Sequence, residues 1–343
     1  MNLDKSSTLA LDVHGGDHGP KVTVPAAVDA LAESPGLRII LVGRPDEIEP
    51  LLAGVDAGLR DRLVIEATSE VITSDARPRA ILRAGPEFSL YRALQLVHEG
   101  RAQSCVSAGN TVALMALGVK LLGVLPGVSR PALMSQFPNA AGTVGMLDLG
   151  ANLNVDARQL AQFAFMGAEV RRAAHPERPA SVGLLNVGHE DGKGHAVVRE
   201  AHELLKASDL DYRGFIEGHD IFEGTVDLAV CDGFAGNLVL KSSEGLAAML
   251  FGEFRKTLES TWRSRLGALL AKPALKAMVE RLDPAKHNGA PLLGLNGVLV
   301  KSHGRSGRLA TTQAILEAGQ EAQHHVPDRI EAVIKKHERE TAS

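Results

Sequence analysis

The sequence of 343 residues predicts an α/β fold of three layers, a largely parallel sheet with helices on both faces. Three observations carry this expectation. Short β-branched runs alternate with helical patterns along the chain. The runs around Cys105, Leu184 and Ala229 are apolar on both faces, as a sheet covered from both sides requires. Five runs end in polar, glycine-rich turns, and in parallel α/β sheets ligands collect outside the carboxyl ends of strands.

The elements follow in order. Leu9–Val13 is an aliphatic strand closed by a His-Gly-Gly turn, and Val22–Glu33 carries helical spacing before the strand Arg38–Val42. Leu63–Glu66 is a third strand. The helix Leu90–Glu99 leads to the strand Cys105–Ser107, whose Gly-Asn-Thr turn opens the apolar helix Thr111–Leu122. Gly142–Leu149 is a strand, and Ala157–Ala174 a long helix. Ser181–Asn186, the helix Ala196–Lys206, the strand Arg213–Ile216 and the strand Leu228–Cys231 continue the alternation. Helices over Asn237–Lys256 and Leu266–Arg281, a strand Val298–Lys301 and a helix Ser306–Gln323 complete it. Pro176–Pro179 reads as a helix-to-strand turn and not a linker, so residues 1–343 are expected to form one α/β/α domain.

Composition narrows the function. Thirty-seven Lys and Arg stand against 41 Asp and Glu, and there are only 12 aromatic residues, so nucleic-acid binding by a basic or base-stacking surface is not expected. Cys105 and Cys231 each lie in apolar runs, without metal-type spacing, and read as buried thiols of a reducing cytosol. Met1–Lys5 shows no signal-peptide pattern. Thr111–Pro126 is too short and too interrupted to span a membrane. P-loop, Rossmann and nucleophile-elbow motifs are absent, and His14 and His18 share a turn rather than a helix face, so neither cofactor nor metal is expected.

The five turns run Asp12–Asp17, Ser107–Thr111, Asn186–Glu190, Asp232–Asn237 and Ser302–Ser306. Glycine lets backbone N–H groups approach an anion, and a following helix N-terminus adds partial positive charge. For a single turn, capping alone explains the pattern. Five together favour one polar cleft.

Read in order, these turns closely resemble the bacterial phosphate acyltransferase family. The resemblance rests on Leu11-Asp12-Val13-His14-Gly15-Gly16-Asp17, Ser107-Ala108-Gly109-Asn110-Thr111, Leu147-Asp148-Leu149-Gly150-Ala151-Asn152, Cys231-Asp232-Gly233-Phe234-Ala235-Gly236-Asn237, Gly289-Ala290-Pro291-Leu292-Leu293-Gly294 and Lys301-Ser302-His303-Gly304. It implies an isocitrate-dehydrogenase-like α/β/α fold and a homodimer. It implies transfer of a long-chain fatty acyl group from acyl carrier protein to inorganic phosphate, starting phospholipid synthesis. A membrane glycerol-3-phosphate acyltransferase is then the downstream partner, and the enzyme is cytoplasmic, resting on the inner membrane surface. A coenzyme A-dependent enzyme of similar fold, a decarboxylating dehydrogenase and a non-catalytic acyl-chain binding protein are the alternatives. The chain departs from the family where Gly85-Pro86-Glu87-Phe88-Ser89 replaces a Lys-Lys-Asp-Ser-Ser run, where His14 replaces Met, and where His189 replaces Glu or Thr.

Phosphate is itself a nucleophile, so this reaction needs an anion site, an oxyanion donor and a leaving thiol, but no covalent enzyme intermediate. Lys193, between two glycines, is the candidate cation for phosphate and developing charge. Asn237 opens a helix and is a candidate oxyanion donor. His303 is a candidate to orient phosphate or protonate the thiolate. Ser107, Gly109, Asn110, Thr111 and Gly236 are candidate phosphate-binding positions. Asp12, Gly15, Gly16, Asp17 and Asp232 are expected to orient the loops, because a carboxylate beside phosphate would repel it. The helix after Thr111 is a candidate wall for an acyl tunnel, although core packing explains most of its side chains.

A second surface is expected at about 251–282. Phe251, Phe254, Leu258, Trp262, Leu266 and Leu269 repeat at helical spacing, and seven basic residues, Arg263 and Arg265 among them, stand against three acidic ones. A basic amphipathic helix with the single Trp suits a membrane surface, an acidic carrier protein or a dimer contact.

Overall fold

Alternation between two cores is what the strands are built for. The computed structural model describes residues 7–342 except 74 and 283, and all of their side chains except those of 277, 279–282, 284, 287 and 340–342. The Met1–Lys5 reading and the side chains of Glu280 and Arg281 lie outside the described residues. In β1 (Ser7–Asp12), Leu9 and Leu11 enter one core while Ala10 enters another. In β2 (Leu37–Gly43), Ile39 and Leu41 follow the first pair and Ile40 and Val42 the second. Such strands read as continuous apolar runs because both faces are covered.

The first half of the chain contains β1, α1 (Pro20–Glu33), β2, α2 (Pro45–Ile48), α3 (Ala57–Arg60), β3 (Leu63–Ala67), α4 (Pro78–Arg83), α5 (Ser89–His98), β4 (Ser104–Ser107) and α6 (Thr111–Leu122). A hairpin of β5 (Ala132–Asn139) and β6 (Gly142–Leu147) follows. The second half contains α7 (Ala157–Ala174), β7 (Ser181–Leu185), α8 (Ala196–Lys206), β8 (Asp211–Ile216), α9 (Asp220–Glu223), β9 (Leu228–Val230), α10 (Gly233–Glu259) and α11 (Trp262–Leu282). The chain then returns through β10 (Ala290–Leu293) and β11 (Val298–Lys301), and ends in α12 (Arg308–Gln323) and α13 (Val326–Ala342).

The strands form one sheet of order β3-β2-β1-β4-β11-β10-β5-β6-β9-β7-β8. Pairing is parallel within β3-β2-β1-β4-β11 and within β6-β9-β7-β8. It is antiparallel at the three steps through β10 and β5. One core lies under α1 and α12, a second under α7, α8 and α13. A third spans both halves and receives α5, α6 and the start of α10.

The expected elements are present with small boundary shifts. Seven were not anticipated from sequence: the short helices α2, α3, α4 and α9, and β5, β10 and α13. β5 carries Ser135, Gln136 and Pro138, which dilute its strand signal; Pro138 stands at the hairpin end, where a lost ladder bond is tolerated. β10 is a four-residue strand containing Pro291. α13 buries Val326, Ile330 and Ile334, a four-residue spacing that does mark a helix face. His202 reads from sequence as surface but is buried, stacked on Phe215 at 4.2 Å with its Nδ1 2.8 Å from the Tyr212 hydroxyl.

Candidate active site

Three antiparallel steps reverse the direction of the sheet, so β1, β4 and β11 run opposite to β6, β7 and β9. The five glycine-rich turns therefore do not meet along one edge. They form two groups, which the start of α10 connects.

The first group lies beyond β1, β4 and β11. Asp12 is buried at the end of β1, and its Oδ2 accepts a 2.6 Å hydrogen bond from the Ser107 hydroxyl at the end of β4. Ser107 Oγ in turn accepts the N–H of Gly109 at 3.0 Å. Burial raises the Asp12 pKa despite the lowering effect of Ser107. Asp12 thus straps the end of β1 to the end of β4. Gly15 is required at its position: a Cβ there would stand 2.8 Å from Ser107 Oγ and 2.9 Å from the Ala108 nitrogen. Gly16 and Asp17 continue the turn, with the Asp17 N–H donating to the Gly304 carbonyl at 2.8 Å. Asn110 caps α6, its Oδ1 accepting Val112 N–H at 2.8 Å and Ala113 N–H at 3.1 Å. Thr111 is the first residue of that helix. Its Ala113, Leu114 and Leu117 are core, whereas Val112 is exposed beside the turn.

His303 stands just past β11. Its Nδ1 accepts the Arg305 N–H at 3.2 Å, which leaves the proton of the neutral ring on Nε2. Desolvation, followed by the Lys301 ammonium, holds its pKa below the ordinary histidine value. Neutral His303 is a hydrogen-bond donor through Nε2, and this geometry favours orientation of an anion over protonation of a thiolate. Asn288 ties the loop down, donating to Ser302 Oγ at 2.8 Å and accepting the His303 N–H at 3.2 Å. Lys301, which opens the Lys301–Gly304 run but is not among the candidate site residues read from sequence, has its pKa lowered by burial and by the nearby Lys241 ammonium.

The second group surrounds the start of α10. Asp148, buried after β6, accepts N–H bonds from Leu133, Ala151 and Asn152 at 2.9, 3.1 and 2.6 Å. Asp232 caps α10 by accepting the Ala235 N–H at 2.7 Å. Gly236 lies so close to the Asp148 carbonyl that a Cβ would be 1.9 Å from its oxygen, so close packing accounts for this glycine. Asn237, one residue on, is exposed beside Gly150. Lys193 is exposed in the turn after β7; its N–H donates to the Glu190 carbonyl at 2.9 Å, and its own carbonyl accepts from Asn186 at 3.3 Å.

Helix α10 connects the groups. Ala235, Val239 and Leu240 pack on the shared core, and Lys241 and Glu244, paired at 2.8 Å, act electrostatically on Lys301 and His303. One helix therefore carries Asn237 at its start and a charged pair facing the β11 loop about 6 Å further along its axis. Its patterned fingerprint was visible in sequence at Asn237; the role of Lys241 was not, because nothing local distinguishes it from a surface lysine.

Both cysteines are buried with thiols pushed well up by desolvation, so neither offers a thiolate. The Gly85–Ser89 departure folds as an ordered bridge: Phe88 pairs with Glu70, and Ser89 is buried. Trp262, Leu266 and Leu269 are exposed on α11, with the Arg263 guanidinium 5.4 Å from the Trp262 ring centroid and Arg265 donating to the Glu259 carbonyl. A cavity of about 720 Å³ lies elsewhere, at the amino ends of β7 and β9, lined by Arg171, Arg178, Ser181 and Asp227.

Comparison with known proteins shows the family and the fold. The family model described as "Fatty acid synthesis protein" matches residues 7–329. A phosphate acyltransferase of Methylococcus capsulatus is 45% identical over 324 residues, covering 94% of this chain and 96% of the relative. One of Nitrosococcus oceani is 46% identical over 330 residues, covering 96% and 97%. Among solved structures, a phosphotransacetylase from Streptococcus pyogenes shares the fold with a TM-score of 0.63 at 20% identity, covering 93% of this chain and 95% of that one. A 4-hydroxythreonine-4-phosphate dehydrogenase from Klebsiella pneumoniae does so with a TM-score of 0.54 at 13% identity, covering 91% and 98%. The chain belongs to the fatty acid synthesis protein family and, within it, to the phosphate acyltransferases.

Proposed function

We propose that this enzyme transfers a long-chain fatty acyl group from acyl carrier protein to inorganic phosphate, releasing acyl-phosphate for phospholipid synthesis. Family membership supports acyl transfer to phosphate. The observation that carries the mechanism is the Lys301–His303 loop facing Lys241 of α10, with no thiolate in reach: an anion site without an enzyme nucleophile.

Hydrogen phosphate sits against Lys301, the Nε2–H of His303 and the Ser107–Thr111 turn. Its oxygen attacks the thioester carbonyl, a C–O bond forms, and the C–S bond breaks. The proton of hydrogen phosphate ends on the departing thiol, so the step balances without net proton donation by the enzyme. Asn237 and Lys193 serve the developing oxyanion from the second group. His303 orients phosphate and does not form a covalent adduct.

The same reading assigns the exposed apolar face of α10 and α11 to a second copy of the chain and to the inner membrane surface. Leu250, Phe254, Trp262, Leu266, Leu269 and Leu270 are all exposed there. Among the described residues no helix is long and apolar enough to cross a membrane, so contact with lipid would be peripheral. Acidic acyl carrier protein is expected to dock on basic residues of this region or around Arg77, Arg79 and Arg83. A membrane glycerol-3-phosphate acyltransferase would receive the product.

The test is thiol release from long-chain acyl carrier protein, with and without phosphate, for wild type, Lys193→Ala and Lys301→Met. Phosphate-dependent release with equal acyl-phosphate, lost in both variants, is the expected result. Release from acyl-coenzyme A alone would replace the donor. No phosphate-dependent release from either thioester would overturn the reading.

A further inference from the structure

We propose that His189, His219 and Asp220, with Glu217 beside them, form a binding site for a divalent transition-metal ion of the zinc class. Ligand atoms of His189, His219 and Asp220 all lie within 4.8 Å of one another. His189 Nε2 is 3.5 Å from Asp220 Oδ2 and 3.6 Å from Glu217 Oε1, and His219 Nε2 is 3.9 Å from Asp220 Oδ1. These separations are too long for charge-assisted hydrogen bonds, which run at about 2.7–2.9 Å. They lie near the edge of a zinc tetrahedron, about 3.3 Å for ligands held about 2.0–2.1 Å from the ion.

The ring orientations fit as well. His189 Nδ1 is 3.0 Å from the Phe215 carbonyl oxygen. A carbonyl only accepts, so in the neutral ring the proton sits on Nδ1 and the Nε2 lone pair faces the Glu217 and Asp220 carboxylates. That arrangement is the usual outer support of a metal-bound imidazole. Asp220 is buried and fixed, its Oδ2 accepting the Glu217 N–H at 2.7 Å, whereas both imidazoles are exposed, which gives an ion an entry path. Two imidazoles with one or two carboxylates suit zinc or cobalt far better than magnesium, which prefers oxygen ligands and retained water.

The location gives the site a consequence. His189 lies in the turn that carries Lys193, and His219 and Asp220 open α9 after β8. A bound ion would tie that turn to the β8–α9 corner and fix the path of Lys193. This regulatory step rests on the function proposed above; the binding itself does not.

Zinc binding to metal-free full-length protein, measured by calorimetry, and cobalt binding, followed by visible absorption, form the test. His219→Gln is the primary variant because its imidazole holds no other element in place; His189→Gln is the second. The expected result is one ion per chain, a tetrahedral cobalt spectrum, and affinity at least about tenfold weaker in each variant, with unchanged melting in the absence of metal. Protease cleavage within residues 187–194 should slow with zinc in wild type and not in His219→Gln. No saturable zinc binding, or binding equal in wild type and both variants, would overturn the site. Binding as expected with acyl transfer unaffected by zinc would overturn the regulatory step alone, and loss of acyl transfer without loss of zinc binding would leave the site standing.

Discussion

Lys301, partly buried, and His14, buried, show how a desolvated base is used in opposite ways. Lys301 is desolvated and lies near a second ammonium, a cost that Glu244 offsets in part and that an incoming anion offsets further. Lys301→Met should therefore leave the melting temperature equal or higher while phosphate-dependent turnover falls about 100-fold or more, the scale seen when one electrostatic donor is removed. Parallel melts and steady-state rates decide it; a variant that loses stability along with activity would make Lys301 structural. His14 is a packing histidine. Its Nε2 accepts the Arg44 N–H at 3.0 Å, and burial holds its pKa below 6.5. Its neutral form stabilises the fold fully above about pH 6.5, and that contribution is lost as pH falls through the depressed native value, because the unfolded chain then binds the extra proton. His14→Gln should flatten the dependence of stability on pH below 6.5 by up to one proton, read from urea denaturation at a series of pH values. Sequence made the position of His14 legible, but its partner, the β2–α2 turn, is 30 residues away and left no local mark.

At the level of elements, the parallel blocks were legible because their signals are local: apolar runs, caps and glycine turns. The steps that join the blocks were not. β10 is four residues long, β5 is broken by polar residues and Pro138, and both are strands because of their neighbours. That gap explains why the division of the five turns into two groups left no mark in the sequence. Within the second block, Asp227 locks β9 to the start of β7. Arg178 reaches it with two nitrogens at 2.7 Å, and Ser181 adds its N–H and hydroxyl. Burial alone would raise the Asp227 pKa, but these bonds outweigh it and bring the pKa down to about 2. The stabilisation is present above pH 4 and is lost as pH falls toward 2. Arg178 is itself largely exposed, so solvent screening trims the effect: Arg178→Gln should lower stability at pH 7 and progressively less below pH 4. Denaturation at pH 7 and pH 3 tests this, and an equal cost at both would remove the charge from the explanation. Gly236→Ala should displace the first turn of α10 from Asp148, costing about 1–3 kcal/mol and most of the activity, since Asn237 and Lys241 move with it.

Over the whole molecule, α10 and α11 are where the fold is incomplete by itself. Of 27 residues in α10 only Gly233 and Gly236 are buried, and large apolar side chains line both helices in solvent. Fully covering one such side chain is worth about 1.5–3 kcal/mol, so covering four or five offsets the roughly 4–15 kcal/mol lost on association. Two surfaces are expected to do so: a second copy of the chain, and lipid. They differ in their response to charge. Self-association through apolar contact should survive high salt, whereas attachment of the basic segment to anionic lipid should weaken with it. Leu266→Glu/Leu269→Glu places two carboxylates on the exposed start of α11, away from Asn237 and Lys301. Its expected effect is loss of flotation with anionic vesicles without loss of the folded state read by melting, with sedimentation showing whether the dimer is retained. Flotation that persists in this variant would remove α11 from the lipid contact. A monomeric variant that still floats would assign this face to the partner chain, and a dimeric variant that no longer floats would assign the start of α11 to lipid and leave α10 to hold the dimer.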